Sequence, residues 1–159
     1  MRLQYFIDSF MERRQYHNPN SEIQTYGVCQ AKSYQMSNLT PEEVLRSVTE
    51  CINSGNLDSL MMLYESDACF ASQPGQFIKG REGIRQSIQG FVDMKGKLES
   101  KVKRVLRATD LALVISEWSF KGTGPDGKPV NFASIATDVL RQQSDCTWRV
   151  IIDNPWKTD

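Results

Sequence analysis

Residues 132–156, FASIATDVLRQQSDCTWRVIIDNPW, decide the fold class. The first run, Phe132 to Arg141, is rich in β-branched and apolar side chains, and residues 147–153 are apolar at alternate positions. The polar residues 142–145 separate the two runs and are typical of a turn. The stretch therefore predicts two β-strands joined as a hairpin.

Two carboxylates lie inside this apolar hairpin. Asp138 falls in the middle of the first strand, and Asp153 ends the second strand, before Asn-Pro-Trp. A buried carboxylate costs free energy unless it is paired or neutral. Asp138 is therefore either a hydrogen-bond donor or general acid in a cavity, or a structural group that caps a loop or pairs with Arg141 or Arg149. Asp153 has two possible roles: it forms an Asx turn at the strand end, or it belongs to a functional site.

The remainder of the chain predicts helices first and a meander of long strands afterwards. Thr40-Pro41-Glu42-Glu43 has the pattern of a capping box with proline in the first helical turn. Further helices are predicted from residues 56–58, with Tyr64 on the apolar side, and from residues 80–83; strands are predicted at 67–72, 77–78, 98–106 and 111–120. This order indicates an α+β fold in which three helices pack on one face of a curved antiparallel sheet. Such a sheet can enclose a pocket.

Composition and spacing argue against several classes of function. Lys plus Arg equal Asp plus Glu, 19 each, which disfavours nucleic acid and anionic membranes as partners. The four cysteines form no CxxC or Cys/His cluster, so we expect no metal site and four single thiols in a reducing, cytoplasmic setting. His17 is the only histidine and lies far from the predicted elements. The loop 122–128, GTGPDGK, lacks the spacing of a phosphate loop, and no cofactor is predicted.

The N-terminal stretch differs from the rest. Residues 1–37 carry no clear cap or sustained apolar periodicity and no signal-peptide pattern. We predict an irregular extension, with a lid or a partner-binding arm as the alternative, and a single domain over residues 38–159.

The order of elements and four local strings resemble the nuclear transport factor two-like superfamily, and most closely its SnoaL-like, SgcJ/EcaC-type branch. The strings are NSGNLDSLMMLYESDACF (53–70), KGREGIRQSIQGF (79–91), ALVISEWSFKGTGPDGKP (112–129) and TDVLRQQSDCTWRVIIDNPW (137–156). The resemblance implies a cone of three helices against a bent sheet, in a superfamily that includes ketosteroid isomerase, dehydratases, hydrolases and association domains. Function does not follow from the fold.

Carried over residue by residue, the resemblance to ketosteroid isomerase is incomplete. The family's tyrosine falls at Val48 and its catalytic base at Ser72, so only the protonated aspartate is matched, by Asp138. Asp138 is therefore the candidate catalytic residue. The candidate ligand pocket has aromatic walls, although each aromatic residue taken alone is also explained as core; its residues are Tyr64, Phe70, Ser72, Phe77, Trp118, Phe120, Ser134, Asp153 and Trp156.

Two functions follow as hypotheses. The first is a protein that binds a small hydrophobic ligand in an apolar pocket and acts on it by acid–base chemistry, as an isomerase, cyclase, dehydratase or hydrolase. The second is a non-catalytic association domain. A homodimer formed through the outer face of the sheet is compatible with both, because apolar and charged residues alternate along 98–107 and 111–120.

Overall fold

A computed structural model of the chain describes residues 39–157. The predictions made for residues 1–37 lie outside the described residues, and the predicted boundary at residue 38 stays a prediction.

Within residues 39–157, three helices cover one face of a six-stranded sheet. Helix α1 spans Pro41–Ser54, α2 spans Leu57–Met62 and α3 spans Arg81–Asp93. The Thr40 side chain accepts the Glu43 amide and the Glu43 side chain accepts the Thr40 amide, which confirms the predicted capping box.

The sheet has the strand order β2-β1-β6-β5-β4-β3. Its strands are β1 (Tyr64–Gln73), β2 (Gln76–Lys79), β3 (Lys97–Ala108), β4 (Leu111–Thr123), β5 (Pro129–Gln142) and β6 (Trp148–Asp153). The predicted hairpin is confirmed, since β5 and β6 pair antiparallel with Arg141 opposite Arg149. Sequential neighbours pair wherever a short turn allows it, which is the usual preference of local strand pairing.

Three details of the sequence-based prediction are wrong. The sheet is mixed rather than antiparallel, because β1 and β6 run parallel with Tyr64 beside Val150. Helix α3 lies between β2 and β3, so the three helices do not all precede the strands. Tyr64 begins β1 instead of continuing α2, since α2 ends at Met62 with Leu63 as its C-cap.

The core is divided into two clusters between the helices and the sheet. One joins α1, α2 and α3 to β1, β4, β5 and β6 around Leu60, Tyr64 and Ile84. The other is aromatic and joins Trp118 and Phe120 of β4 to Phe91 of α3 and to β5. The second cluster forms the walls at one end of a cavity.

The cysteines do not all match the predicted state. Cys51 and Cys69 are free thiols, whereas Cys146, in the turn between β5 and β6, is disulfide-bonded. The expectation of four single thiols is therefore wrong for Cys146. Among residues 39–157, no helix has the length and apolar character needed to cross a bilayer.

Candidate functional site

A cavity of about 100 Å³ lies between α1, α3 and the inner face of the sheet. One water molecule needs roughly 10–15 Å³ by the same kind of measure, so the cavity has room for several non-hydrogen atoms. Its apolar lining is Leu45, Val48, Ile52, Phe70, Ile88, Phe91, Leu98, Trp118, Phe120, Ala136 and Pro155, and its polar lining is Thr49, Ser100, Ser116, Asp138 and Asp153. The polar groups are few and the walls are apolar, which is typical of a small-molecule site.

Both hairpin carboxylates line this cavity and lie side by side. Asp138 is 5% exposed, and the two aspartates are hydrogen-bonded to each other. The hydroxyl of Tyr64, which is fully buried, donates to Oδ2 of Asp153 at 2.5 Å. The backbone amide of Asn154 donates to Oδ1 of Asp138 at 3.2 Å. The three side chains form one chain of hydrogen bonds, from Tyr64 through Asp153 to Asp138.

This arrangement depends on the polypeptide that follows β6. The Asn154 carbonyl accepts the Thr137 amide at 2.9 Å, and the Pro155 carbonyl accepts Nε1 of Trp118 at 2.6 Å. The indole of Trp156 donates to the Ala71 carbonyl at 2.9 Å. The segment 154–156 is thereby fixed across one end of the cavity, where it positions both aspartates.

Burial sets the protonation of the two aspartates. Desolvation and the neighbouring charge of Asp153 raise the pKa of Asp138 well above its usual range. Desolvation also raises the pKa of Asp153, to about 6, against the hydrogen bonds from Tyr64 and Asp138 that favour its ionised form. Two adjacent carboxylates in a low dielectric cannot both ionise easily, so they share protons as a pair. Both pKa values are raised, and the charge of Asp153 is one cause of the shift at Asp138, so a shared proton is held on Asp138 in preference to Asp153.

Ser116 on β4 adds a third polar group to the wall. It is 3% exposed and lies on the inner face of the sheet, two residues along β4 from Val114, the register partner of Asp138. Within residues 39–157, its hydroxyl forms no hydrogen bond to the protein. Buried hydroxyls are normally hydrogen-bonded, so one that faces a cavity is available to a bound molecule.

The structure brings together only part of the predicted site. Asp138, Asp153, Phe70, Trp118 and Phe120 line the cavity. Tyr64 lies directly behind Asp153 and touches the cavity only through that residue's carboxylate.

Four other predicted pocket residues do not line the cavity. The prediction for Phe77 is wrong, because the side chain points outward from the short strand β2 and is 68% exposed. Ser72 is also outside, near the far end of β1. Ser134 shares the inner face of β5, but its hydroxyl accepts the Lys157 amide beyond the end of the cavity. Trp156 packs edge-to-face on Trp118 from outside.

Sequence reasoning missed Ser116 and the polar residues contributed by α1 and β3. Ser116 lies at an inward position of an otherwise apolar strand, LALVISEWSF, and that alternation was the available signal. Thr49 and Ser100 carried no such signal, because their approach to the cavity depends on how α1 packs on β3.

The model of the SnoaL-like domain family matches residues 44–146 of the chain. The chain belongs to the SnoaL-like domain family. The matched segment of this SnoaL-like domain includes Tyr64, Ser116 and Asp138, whereas Asp153 lies beyond its end. A comparison with functionally curated proteins finds no match.

Solved structures with the same fold carry different assignments. A candidate calcium/calmodulin-dependent protein kinase type II association domain from Thiobacillus denitrificans is 18% identical, with a TM-score of 0.62, and the match covers 76% of this chain and 96% of that chain. A ketosteroid isomerase-like protein from Erwinia carotovora atroseptica is 16% identical, with a TM-score of 0.62 and coverage of 70% and 88%. A candidate dehydratase of the nuclear transport factor two-like family from Streptomyces avermitilis is 17% identical, with a TM-score of 0.60 and coverage of 72% and 93%. At these identities the likeness shows the fold alone.

In this SnoaL-like domain, the two positions that align with the tyrosine and the catalytic base of ketosteroid isomerase do not supply polar groups to the cavity. Val48 lines the cavity as an apolar residue, and Ser72 lies outside it. A phenol and a second carboxylate are nevertheless present, supplied by Tyr64 of β1 and Asp153 of β6. Among residues 39–157, no group of three or more His, Cys, Asp or Glu side chains is placed to hold a metal ion.

Proposed function

We propose that this SnoaL-like protein binds a small, uncharged, largely apolar molecule and moves a proton on it. The observation that carries the proposal is the pair Asp138 and Asp153, two adjacent carboxyl groups with raised pKa values at the wall of an apolar cavity. Titratable pairs whose environments separate their protonation states are typical of acid–base catalysis.

Asp153 has the properties of the general base. Its pKa of about 6 leaves it ionised at neutral pH yet close enough to neutrality to take a proton efficiently. Tyr64 stabilises that ionised form and fixes the carboxylate in place, so Tyr64 is a positioning residue.

Asp138 and Ser116 have the properties of hydrogen-bond donors to the substrate. When Asp153 takes a proton from a carbon beside a carbonyl group, it loses its charge and becomes a weaker acceptor. The Asp138 hydroxyl and the Ser116 hydroxyl then stabilise the negative charge that develops on the carbonyl oxygen. Return of the proton from Asp153 to another carbon completes an isomerisation. In a dehydration, Asp153 returns the proton to a β-hydroxyl group, which leaves as water while the carbon–carbon double bond forms.

The surroundings of the cavity restrict the ligand. An outer cleft between α1 and β3 shares Leu45, Thr49 and Ser100 with the cavity. Four carboxylates and one arginine, Arg46, line that cleft, so its charge is negative; the carboxylates are Glu42, Glu43, Glu50 and Glu99. An anionic molecule would meet both these groups and Asp153, so a neutral ligand is favoured. The names of the two isomerase-like and dehydratase-like structures accord with proton-transfer chemistry on such a molecule.

Deuterium exchange tests the proposal without knowledge of the natural substrate. A panel of small neutral cyclic ketones is incubated with the protein in D₂O, and incorporation at the carbon beside the carbonyl is measured by NMR. We expect the wild type to accelerate exchange and Asp153→Asn to lose at least about 100-fold, the usual contribution of a general base. Thermal shift with the same panel separates binding from chemistry. Stabilisation without exchange would show a protein that binds the ketone without catalysis. The absence of both stabilisation and exchange would overturn the proposal.

A second candidate function, a non-catalytic association domain, is favoured by an apolar row across the outer face of the sheet. The row consists of Leu106, Leu113, Val139, Ile152 and Cys69, which are successive partners in the registers of five strands. Leu106 is 55% and Ile152 is 44% exposed. Two solved structures that share the fold are named as candidate association domains. A second copy of this chain would cover the row, with about 800 Å² per partner as the usual requirement.

The oligomeric state tests this second function. Sedimentation of the wild type should show a dimer at micromolar concentration, and Leu106→Lys should shift it toward monomer. Met62→Lys is the matched control, because Met62 is 58% exposed but lies on α2, away from the row. A monomeric wild type, or equal effects of both variants, would exclude the outer face as the interface.

A further inference from the structure

A second recess, separate from the cavity, lies where β1, the start of α3 and the turn between β5 and β6 meet. Its volume is about 420 Å³, and it shares no lining residue with the cavity. Three arginines line it: Arg81, Arg141 and Arg149. The one carboxylate in the lining is Glu65, so within the lining positive charge exceeds negative charge by two.

The placement of two of these arginines costs stability. Arg141 of β5 and Arg149 of β6 are direct partners in the antiparallel register, and both line the same recess. Like charges directly opposite each other on one face of a sheet are destabilising. Arg141 is partly compensated by Glu65 at 3.4 Å. Arg149 forms no hydrogen bond or ion pair within residues 39–157, and the charge of Asp145 in the exposed turn acts on it only from a distance.

The third arginine is held in a fixed position. The Nε and Nη2 atoms of Arg81 donate to the backbone carbonyl of Tyr64 at 3.0 and 2.5 Å. This contact fixes the guanidinium at the part of β1 that β2 does not cover. Glu65 is likewise held by Gln143 at 2.8 Å, which leaves its charge directed to Arg141 and the turn.

We propose that this recess is a binding site for a small oxyanion, the phosphate or carboxylate group of a small molecule, which bridges Arg141 and Arg149. Guanidinium groups bind both oxyanions through paired hydrogen bonds, and one bridging anion removes the repulsion between the two strands. Ser66 in the lining supplies an additional hydrogen-bonding group. The site is independent of the proposed acid–base chemistry.

Thermal unfolding and calorimetry of the full chain test the site with inorganic phosphate and with malonate, each against chloride at equal ionic strength. Kosmotropic anions stabilise most proteins by exclusion from the surface, so only stabilisation that Arg149→Gln reduces supports the site, and the stronger of the two anions identifies the preferred group. Arg149→Gln should weaken binding about ten-fold or more, since it removes charge-assisted hydrogen bonds. Arg46→Gln on α1 is the matched control, because Arg46 is exposed and distant from the recess, and it should bind as the wild type does.

The variant also separates a ligand site from a structural role. In chloride, Arg149→Gln should unfold at the same temperature as the wild type or higher, because the repulsion from Arg141 is removed. A lower unfolding temperature in chloride would assign Arg149 to the stability of the fold and overturn the proposal. Equal unfolding temperatures of the wild type in phosphate, malonate and chloride would also overturn it.

Discussion

The hydroxyl of Tyr64 lies 2.5 Å from Oδ2 of Asp153, a residue 89 positions further along the chain. The two residues begin and end the parallel pair of strands β1 and β6, and Asp153 also contacts Asp138 on β5. Three strands therefore determine the protonation of one carboxylate. This relationship gives the site its properties, and it can be tested one group at a time.

Replacement of Tyr64 by Phe should raise the pKa of Asp153. The hydrogen bond from Tyr64 favours the ionised carboxylate, so its loss favours the protonated form. A hydrogen bond to a charged group contributes about 1.5–3 kcal/mol, which corresponds to roughly 1–2 pH units. The acid limb of the pH profile for ketone exchange should move upward from about 6. If Tyr64→Phe slows exchange but leaves the acid limb of the pH profile at the same pH, then Tyr64 contributes packing and does not set the pKa of Asp153.

Asp138→Asn and Asp138→Ala should differ sharply in stability. An asparagine amide donates to Asp153 as the protonated acid does, and its oxygen still accepts the Asn154 amide. We expect Asp138→Asn to be at least as stable as the wild type at pH 7, because the unfolded wild type gains from ionising Asp138. Asp138→Ala leaves the Asn154 amide without its acceptor and leaves Asp153 with the Tyr64 hydrogen bond alone, so it should lose about 2–3 kcal/mol. Urea titration measures both, and destabilisation by Asn equal to that by Ala would show that Asp138 is ionised when folded.

Much of the fold follows from local sequence, whereas the site follows from packing. The capping box at Thr40 and the β5–β6 hairpin depend on residues close together in the chain, and both were predictable. The parallel pairing of β1 with β6 was not, because it joins segments with no local signal for each other. The roles of Tyr64 and Ser116 depend on that pairing and on strand register. Sequence alone therefore identified Asp138, Asp153 and part of the aromatic wall, but it missed Ser116 and the contact between Tyr64 and Asp153.

The stability of the protein should depend on pH through the aspartate pair. The folded pKa of Asp153, about 6, exceeds the ordinary value of 3.8, so the folded state binds protons more tightly than the unfolded state. Its contribution is fully present below pH 4 and is lost as the pH rises through 6, by about 3 kcal/mol. Asp138 acts in the same direction, since its pKa is also raised.

A double variant isolates this effect from the other carboxylates. Glu42, Asp126 and Asp145 have lowered pKa values and act in the opposite direction in both proteins. The free energy of unfolding is measured in urea from pH 4.5 to 8 for the wild type and for Asp138→Asn/Asp153→Asn. As the pH rises, the value for the wild type should fall relative to the value for the double variant. A difference that stays constant with pH would contradict the raised pKa values.

Gly96→Ala should destabilise the aromatic end of the cavity. A Cβ at Gly96 would overlap the Phe120 ring and the Lys121 carbonyl, and the carbonyl belongs to β4 and cannot turn away. Overpacking of this kind costs about 1–3 kcal/mol. Gly90→Ala is the matched control, because no atom lies within 4 Å of the place its methyl group would take, and alanine favours helix α3 by about 1 kcal/mol. Denaturant titration should therefore give changes in stability of opposite sign for the two variants.

Since Phe120 lines the cavity, Gly96→Ala should also weaken binding of the ketone panel, and unchanged binding would place the rearrangement outside the cavity wall.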